Sequence, residues 1–211
     1  MYYNMVKWDL RDYTFVAVIF LLLEVVALLR DYFSYKSMLH LLWFCNYAPL
    51  LLAVAFFFKN KHFIKAVINV GLVVQTVYLF IFVSLLSTGK FQYRGVLFGT
   101  NQMLFVTTTI IIHLVVLVAL YATYHEKPTR KSLYLSFGIL LFMYFTVLLF
   151  APPEEQINMV YSYGNIIKID IPFYTFLWPI LAFILIVLPS YWIQHKLYER
   201  HVKKKGKIVA K

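Results

Sequence analysis

Cysteine is almost missing from this chain of 211 residues. Cys45 is the single one, which excludes an internal disulfide and a metal site built from several cysteines. Acidic residues are also scarce, since nine Asp and Glu stand against 20 Lys and Arg. Only 14% of the residues are charged and 62% are hydrophobic, and a soluble domain of this length cannot hide so much apolar surface. The composition therefore predicts a protein covered by lipid.

Six apolar runs have the roughly 17–25 residues that a helix needs to cross a bilayer. They cover residues 13–29, 38–58, 66–87, 102–124, 133–151 and 172–194. We predict an all-α, six-helix transmembrane bundle that makes residues 1–211 a single integral membrane domain, with 195–211 as a basic tail.

Lysine and arginine are distributed unevenly between the two faces of this bundle. Fifteen of the twenty fall on one face, and the other face has Arg30, Lys36, Lys90, Arg94 and Lys168. By the positive-inside rule, both termini and the second and fourth loops are cytoplasmic. We expect a protein of the cell (plasma) membrane in this orientation.

The basic loops and tail also indicate the partners of the chain. We expect them to meet the bilayer and its anionic headgroups. Nucleic acid is excluded as a partner because these short loops cannot build a contiguous basic groove along a phosphate backbone. A membrane-protein partner and a homo-oligomer both remain open.

Polar residues inside the spans are few, and an unpaired polar group in hydrocarbon costs several kcal/mol. They are Glu24, His40, Cys45, Asn46, Asn69, Gln75, Thr107, Thr108, Thr109 and His113. The helical rise puts most of them between the outer surface and the midplane, which predicts one polar pocket in the outer half of the bilayer. The predicted ligand-binding or proton-binding residues are Glu24, His40, Asn46, Gln75 and His113. Plain interhelical hydrogen bonding is the alternative role for each.

A metal or haem site does not follow from these residues. No span contains histidines or acids at metal-ligand spacing. His40 and His113 differ by roughly 13 Å in depth, which disfavours a shared haem. We therefore expect no metal and no cofactor.

A family resemblance adds an enzymatic possibility. The order of features from Leu39-His40-Leu41 through the Asn60 turn, Gly71 to Gln75, His113, Tyr121 and the basic turn at 127–132 resembles the YwaF-type integral membrane proteins. Some eukaryotic relatives of that group are lipid acyltransferases that use a helix-borne Cys and His. The resemblance would assign those roles to Cys45 and His113.

Two functions therefore remain open. One is a small transporter-like or accessory membrane protein that binds a small ligand, a lipidic ligand or a proton in the pocket. The other is a lipid-modifying enzyme, an acyltransferase or hydrolase, with His113 as general base and Cys45 or Thr109 as nucleophile. The separations of the Cys45 sulfur and the Thr109 hydroxyl from the His113 imidazole distinguish the two. The acidic loop at 152–170 would be either a lid over the pocket or a linker.

The charge asymmetry predicts the result of a topology experiment. Cysteines introduced at Lys211 and Lys61 should be protected from an impermeant thiol reagent in intact cells, whereas one at Gln156 should react. Labelling of the Lys61 site from outside would contradict the predicted orientation.

Overall fold

The described part of the chain is a bundle of α-helices. The computed structural model describes residues 10–35, 39, 42–89, 102–155, 157–161 and 173–209, and these residues form no β-strand. The first five helices are α1 (Leu10–Tyr35), α2 (Phe44–Phe57), α3 (Lys61–Ser87), α4 (Gln102–Thr123) and α5 (Arg130–Phe150). The last helix is divided into α6 (Tyr174–Ala182), a π-helical turn (Phe183–Val187) and α7 (Leu188–Val209). The prediction of an all-α, six-helix fold is confirmed.

Five of these helices are long and apolar enough to cross a membrane. Their spanning segments are residues 13–32, 61–87, 105–123, 130–150 and 174–205. Large apolar side chains such as Phe80, Phe142 and Phe176 are exposed on them, as expected for surfaces that lipid covers. The structure is thus consistent with a membrane-embedded protein.

The second helix differs from its prediction. The apolar run at 38–58 predicts a full-length span, but α2 begins only at Phe44 and has 14 residues, or roughly 21 Å at 1.5 Å per residue. Trp43, directly before it, is extended (φ −69°, ψ 129°), so the helix cannot continue towards residue 38. α2 is therefore too short to cross a bilayer alone.

Several helices begin or end outside the predicted bounds; α3, for example, begins at Lys61 and not at residue 66. α1 continues to Tyr35, past the predicted end at residue 29, so Arg30 lies in a helix and not in a loop. Helical structure likewise continues through most of the predicted tail, because α7 ends only at Val209. The π-helical turn directly precedes Leu188-Pro189, where the proline ring would clash with the carbonyl of an ordinary α-helical turn.

Short polar turns begin the helices at one end of the bundle. The Asn60 side chain accepts a hydrogen bond from the N–H of Phe63 at 3.1 Å and caps α3. Thr129 caps α5 in the same way through the N–H of Ser132. We call the end of the bundle that contains the turns at 58–60 and 124–129 the basic end, and the other the opposite end.

α3 is the central helix of the bundle. It packs against α2, α4, α5, the π-helical turn and α7. Sequential helices pack together from α1 to α4, as an antiparallel bundle predicts, but α5 packs mainly on α3 and not on α4. The buried face of α3 therefore meets most of the other helices.

Gly71 allows the closest of these contacts. A Cβ atom at this position would lie 2.8 Å from Val116 on α4 and 2.9 Å from the Phe44 ring on α2. Three helices thus meet at a point where only glycine fits. Gly138 on α5 is different, because a Cβ atom there would meet nothing within 4 Å.

The described residues of the connection between α5 and α6 pack onto the bundle. They include short 3-10 turns at Pro153–Glu155 and Ile157–Met159. Ile157 and Val160 are fully buried, and the hydroxyl of Tyr161 donates to the carbonyl of Ala151 at 3.0 Å. Residues 157–161 are thus packed into the protein.

The two glycines provide a matched test of this packing. Gly71→Ala should lower the free energy of unfolding by about 1–3 kcal/mol, because Phe44 and Val116 must move away from the new methyl group. Gly138→Ala should leave stability unchanged or raise it by about 0.5–1 kcal/mol, because alanine is the better helix former. Both values can be measured by denaturant unfolding in detergent micelles. Equal effects of the two substitutions would contradict the close contact at Gly71.

Candidate functional site

The buried face of α1 has polar side chains at its end. The residues on this face follow a three–four spacing, which keeps them on one side of a helix: Ala17, Phe20, Glu24, Ala27 and Asp31. Arg30 lies beside the last of them, and both ionic residues are inside the protein, with 8% of Arg30 and 1% of Asp31 exposed. The sequence-based assignment of Arg30 to a loop is therefore wrong.

Arg30 and Asp31 form the centre of a hydrogen-bonded network between α1, α2 and α4. A guanidinium nitrogen of Arg30 lies 2.6 Å from the Asp31 carboxylate, and its Nε–H donates to the same oxygen at 2.7 Å. Asn46 on α2 accepts from Arg30 at 3.1 Å and donates to Asp31 at 2.5 Å. The hydroxyl of Thr109 on α4 accepts from Arg30 at 3.3 Å. We call these four residues the Arg30 network.

The charges of this network compensate each other. A lone buried ion would be very unfavourable in an apolar bundle, whereas a paired and fully hydrogen-bonded one is tolerated. The Phe105 ring adds a cation–π contact, with its centroid 5.5 Å from the Arg30 guanidinium carbon. The network as a whole is close to neutral.

Glu24 lies next to this network but has no cation of its own. It is 4% exposed, and it precedes Asp31 by seven residues on the same face of α1. Its Oε2 atom is buried without a hydrogen-bond partner among the described residues. Within the described residues, no Lys or Arg forms an ion pair with it.

His113 contacts the network from α4. Its Nδ1 lies 2.7 Å from the backbone carbonyl of Thr109, so Nδ1–H donates there and, in the neutral ring, Nε2 has the free lone pair. The imidazole also stacks on Tyr78 of α3, with centroids 4.3 Å apart. Thr109 thus connects His113 to Arg30, because its carbonyl binds the imidazole and its hydroxyl binds the guanidinium.

The remaining predicted site residues are less connected. Gln75 is 2% exposed, and both polar atoms of its amide lack a partner among the described residues. The Cys45 thiol donates to the side-chain oxygen of Asn46 at 3.7 Å. Thr108 donates back to the carbonyl of Phe105 within its own helix. His40 lies outside the described residues.

The hydrogen bonds of Cys45, Thr109 and His113 bear on the enzymatic alternative. A nucleophile and its base should lie within hydrogen-bonding distance of each other. In the described contacts, His113 binds the Thr109 carbonyl rather than its hydroxyl, and the Cys45 thiol points to Asn46. Neither candidate nucleophile therefore has the hydrogen bond to His113 that the enzyme would need.

A second buried polar cluster lies towards the basic end. The amide of Gln194 on α7 donates to Asn69 on α3 at 2.5 Å, and Asn69 donates to Ser136 on α5 at 3.0 Å. Lys65 is only 2% exposed, and its amine donates to the carbonyl of Thr123 at 2.5 Å. Lys65 is therefore a buried residue of α3 and not a loop charge, although it lies just outside the apolar run predicted at 66–87.

The turn at 124–129 covers this cluster. Glu126 pairs with Lys61 at 2.8 Å and accepts from the hydroxyl of Tyr13 at 3.0 Å, which fixes the start of α1 to the turn. Burial lowers the pKa of the neighbouring His125, and the positive charge of Lys65 acts in the same direction. These contacts close the basic end of the bundle.

Sequence reasoning missed Arg30 and Asp31, although one signal was available. Asp31 continues the three–four spacing of Ala17, Phe20, Glu24 and Ala27, which extends the buried face beyond the apolar run.

In the part of the chain that the structure describes, no three His, Cys, Asp or Glu side chains lie close enough to hold a metal.

Comparison of the chain with protein-family models, with curated proteins and with solved structures finds no match. The resemblance to the YwaF-type proteins thus stays a prediction.

The compensation within the Arg30 network can be tested by a double-mutant cycle. Arg30→Met and Asp31→Asn should each lower the free energy of unfolding by about 3–5 kcal/mol, since each leaves a buried partner uncompensated. The double variant should recover a large part of that loss. Lys196→Met, in the exposed pair with Glu199 on α7, should change stability by less than about 0.5 kcal/mol. Additive effects of the two single variants would show that the pair is not coupled.

Proposed function

We propose that this protein is a multi-pass membrane protein that binds a proton at Glu24 beside the Arg30 network, as a transporter-like or accessory protein and not as an enzyme. The single observation that carries the proposal is the buried Glu24 carboxyl group with an unpartnered oxygen. An acid in an apolar helix is a site for protons or ligands by default, because its charged form needs a partner.

The surroundings of Glu24 favour its neutral form. A carboxylate that is buried without a cation costs several kcal/mol, and adding a proton removes most of that cost. The positive charge of Arg30 is already compensated by Asp31. The Asp31 carboxylate would repel a negative charge on Glu24, which lies on the same face of α1. Glu24 is therefore the group in this region whose charge can change while the Arg30 network stays intact.

The hydrogen bonds beyond the network support this assignment. Thr109 connects Arg30 to His113, whose Nε2 lone pair can accept a hydrogen bond from a ligand. The orphaned amide of Gln75 adds a donor and an acceptor on the neighbouring helix α3. A small polar or lipidic ligand would find its hydrogen-bonding groups here.

The charge distribution supports an orientation with the basic end in the cytoplasm of a cell membrane. Lys203, Lys204 and Lys205 are exposed near the end of α7, where anionic headgroups would attract them. In this orientation Glu24 and the Arg30 network lie nearer to the outer side of the membrane. A membrane-protein partner or a second copy of the chain fits the same arrangement.

Infrared spectroscopy tests the proton site directly. Purified protein in lipid nanodiscs should show the carbonyl stretch of a protonated carboxylic acid at about pH 7, because burial without a cation favours the neutral acid. The band should disappear in Glu24→Gln, which keeps the shape and the neutral charge of the protonated side chain.

The matched control is Glu199→Gln, because Glu199 lies on the surface of α7 and pairs with Lys196. This substitution should leave the band unchanged. Persistence of the band in Glu24→Gln, or its absence from the unsubstituted protein, would refute proton binding at Glu24.

A further inference from the structure

The start of α2 is held by a residue that lies more than a hundred positions later in the sequence. The Asn158 side-chain oxygen accepts from the N–H of Phe44 at 2.9 Å, and its amide nitrogen donates to the carbonyl of Leu42 at 2.7 Å. The backbone carbonyl of Asn158 accepts from the indole N–H of Trp178 on α6 at 3.1 Å. One residue thus fastens α2, the α5–α6 connection and α6 together.

No side chain next to the start of α2 caps this helix. Trp43, at its N-cap position, makes no side-chain capping bond, so the first N–H groups of the helix depend on groups from elsewhere. α2 is also a short helix whose first residue, Phe44, packs against Gly71 inside the bundle. An N–H group left unpaired in such an apolar place is unfavourable, which makes the Asn158 contact necessary there.

The segment around Asn158 is buried and has an unusual backbone conformation. Ile157 and Val160 are fully buried, although they belong to a connection and not to a helix. Asn158 and Met159 both have left-handed backbone conformations, with φ of 51° and 56°, and methionine rarely adopts one. Such a conformation persists only while the surrounding contacts hold it.

We propose that residues 157–161 are a plug that closes the opposite end of the bundle, and that Asn158 is the latch that keeps it closed. Cys45 and Asn46 directly follow Phe44, and Asn46 bridges Arg30 and Asp31. Release of Asn158 frees the start of α2 and lets water from the opposite end reach the Arg30 network. Control of proton entry by this plug rests on the proposed function, whereas the latch itself does not.

Cys45 is a native reporter for the plug, because it is the single cysteine of the chain. The measurement is its rate of modification by a charged, water-soluble maleimide in the full-length protein in detergent micelles. We expect slow labelling of the unsubstituted protein. Asn158→Ala should label roughly five to thirty times faster, the factor expected from losing the hydrogen bonds that keep the segment closed.

One control variant and one further test variant separate the latch from general loosening of the bundle. Asn60→Ala removes the cap of α3 at the basic end, beyond the other end of α2, and should leave the Cys45 rate unchanged. Trp178→Phe keeps an aromatic ring but removes the indole N–H and with it the bond to the Asn158 carbonyl, and should give an intermediate rate. If Asn158→Ala does not fold, Trp178→Phe decides the question.

The result that overturns the latch is a folded Asn158→Ala or Trp178→Phe variant that labels at the unsubstituted rate. Labelling of the unsubstituted protein as fast as that of a cysteine placed at exposed Lys196 would also overturn it. Glu24→Gln should leave the labelling rate unchanged. The infrared band tests the proton site and the labelling rate tests the latch, so each can fail without the other.

Discussion

The burial of the Arg30–Asp31 pair is the constraint on which the candidate site depends. Two opposite charges inside an apolar bundle are tolerated only when each is paired and hydrogen-bonded, so the helices that supply the partners cannot slide past α1. Asn46 fixes the position of α2 against this pair and Thr109 that of α4. The same neutralisation leaves Glu24 without a cation. The site and its one uncompensated group thus arise from a single ion pair.

The short helix α2 links that site to the rest of the bundle. One face of it meets Asp31 on α1, while its first residue packs against Gly71 on the central helix α3. Because α2 begins inside the bundle, its first N–H group needs a partner, and Asn158 provides it. A residue of the connection between two later helices therefore caps the helix that positions the polar network.

The sequence predicts the class of fold well and the site in part. Long apolar runs are sufficient to place α3, α4 and α5 within a few residues, because lipid allows only helices with satisfied backbones. The burial of Glu24, Asn46 and Thr109 was also expected from the cost of polar groups in hydrocarbon. Arg30 was not expected, since a charge at the end of an apolar run is ordinarily a loop residue. Lys65 was misplaced for the same reason.

By itself, the sequence determined that this is an all-helical protein with helices long and apolar enough to cross a membrane, because apolar run length and charge density are local properties of the chain. It also indicated that Glu24, Asn46 and Thr109 would be buried. Only the tertiary structure decided their partners, since Arg30 with Thr109 and Phe44 with Asn158 are pairs far apart in sequence. The late start of α2 at Phe44 was likewise decided by the tertiary structure. Hydropathy measures the cost of exposing a residue to water, and it contains no information about which distant side chain will satisfy a buried hydrogen bond.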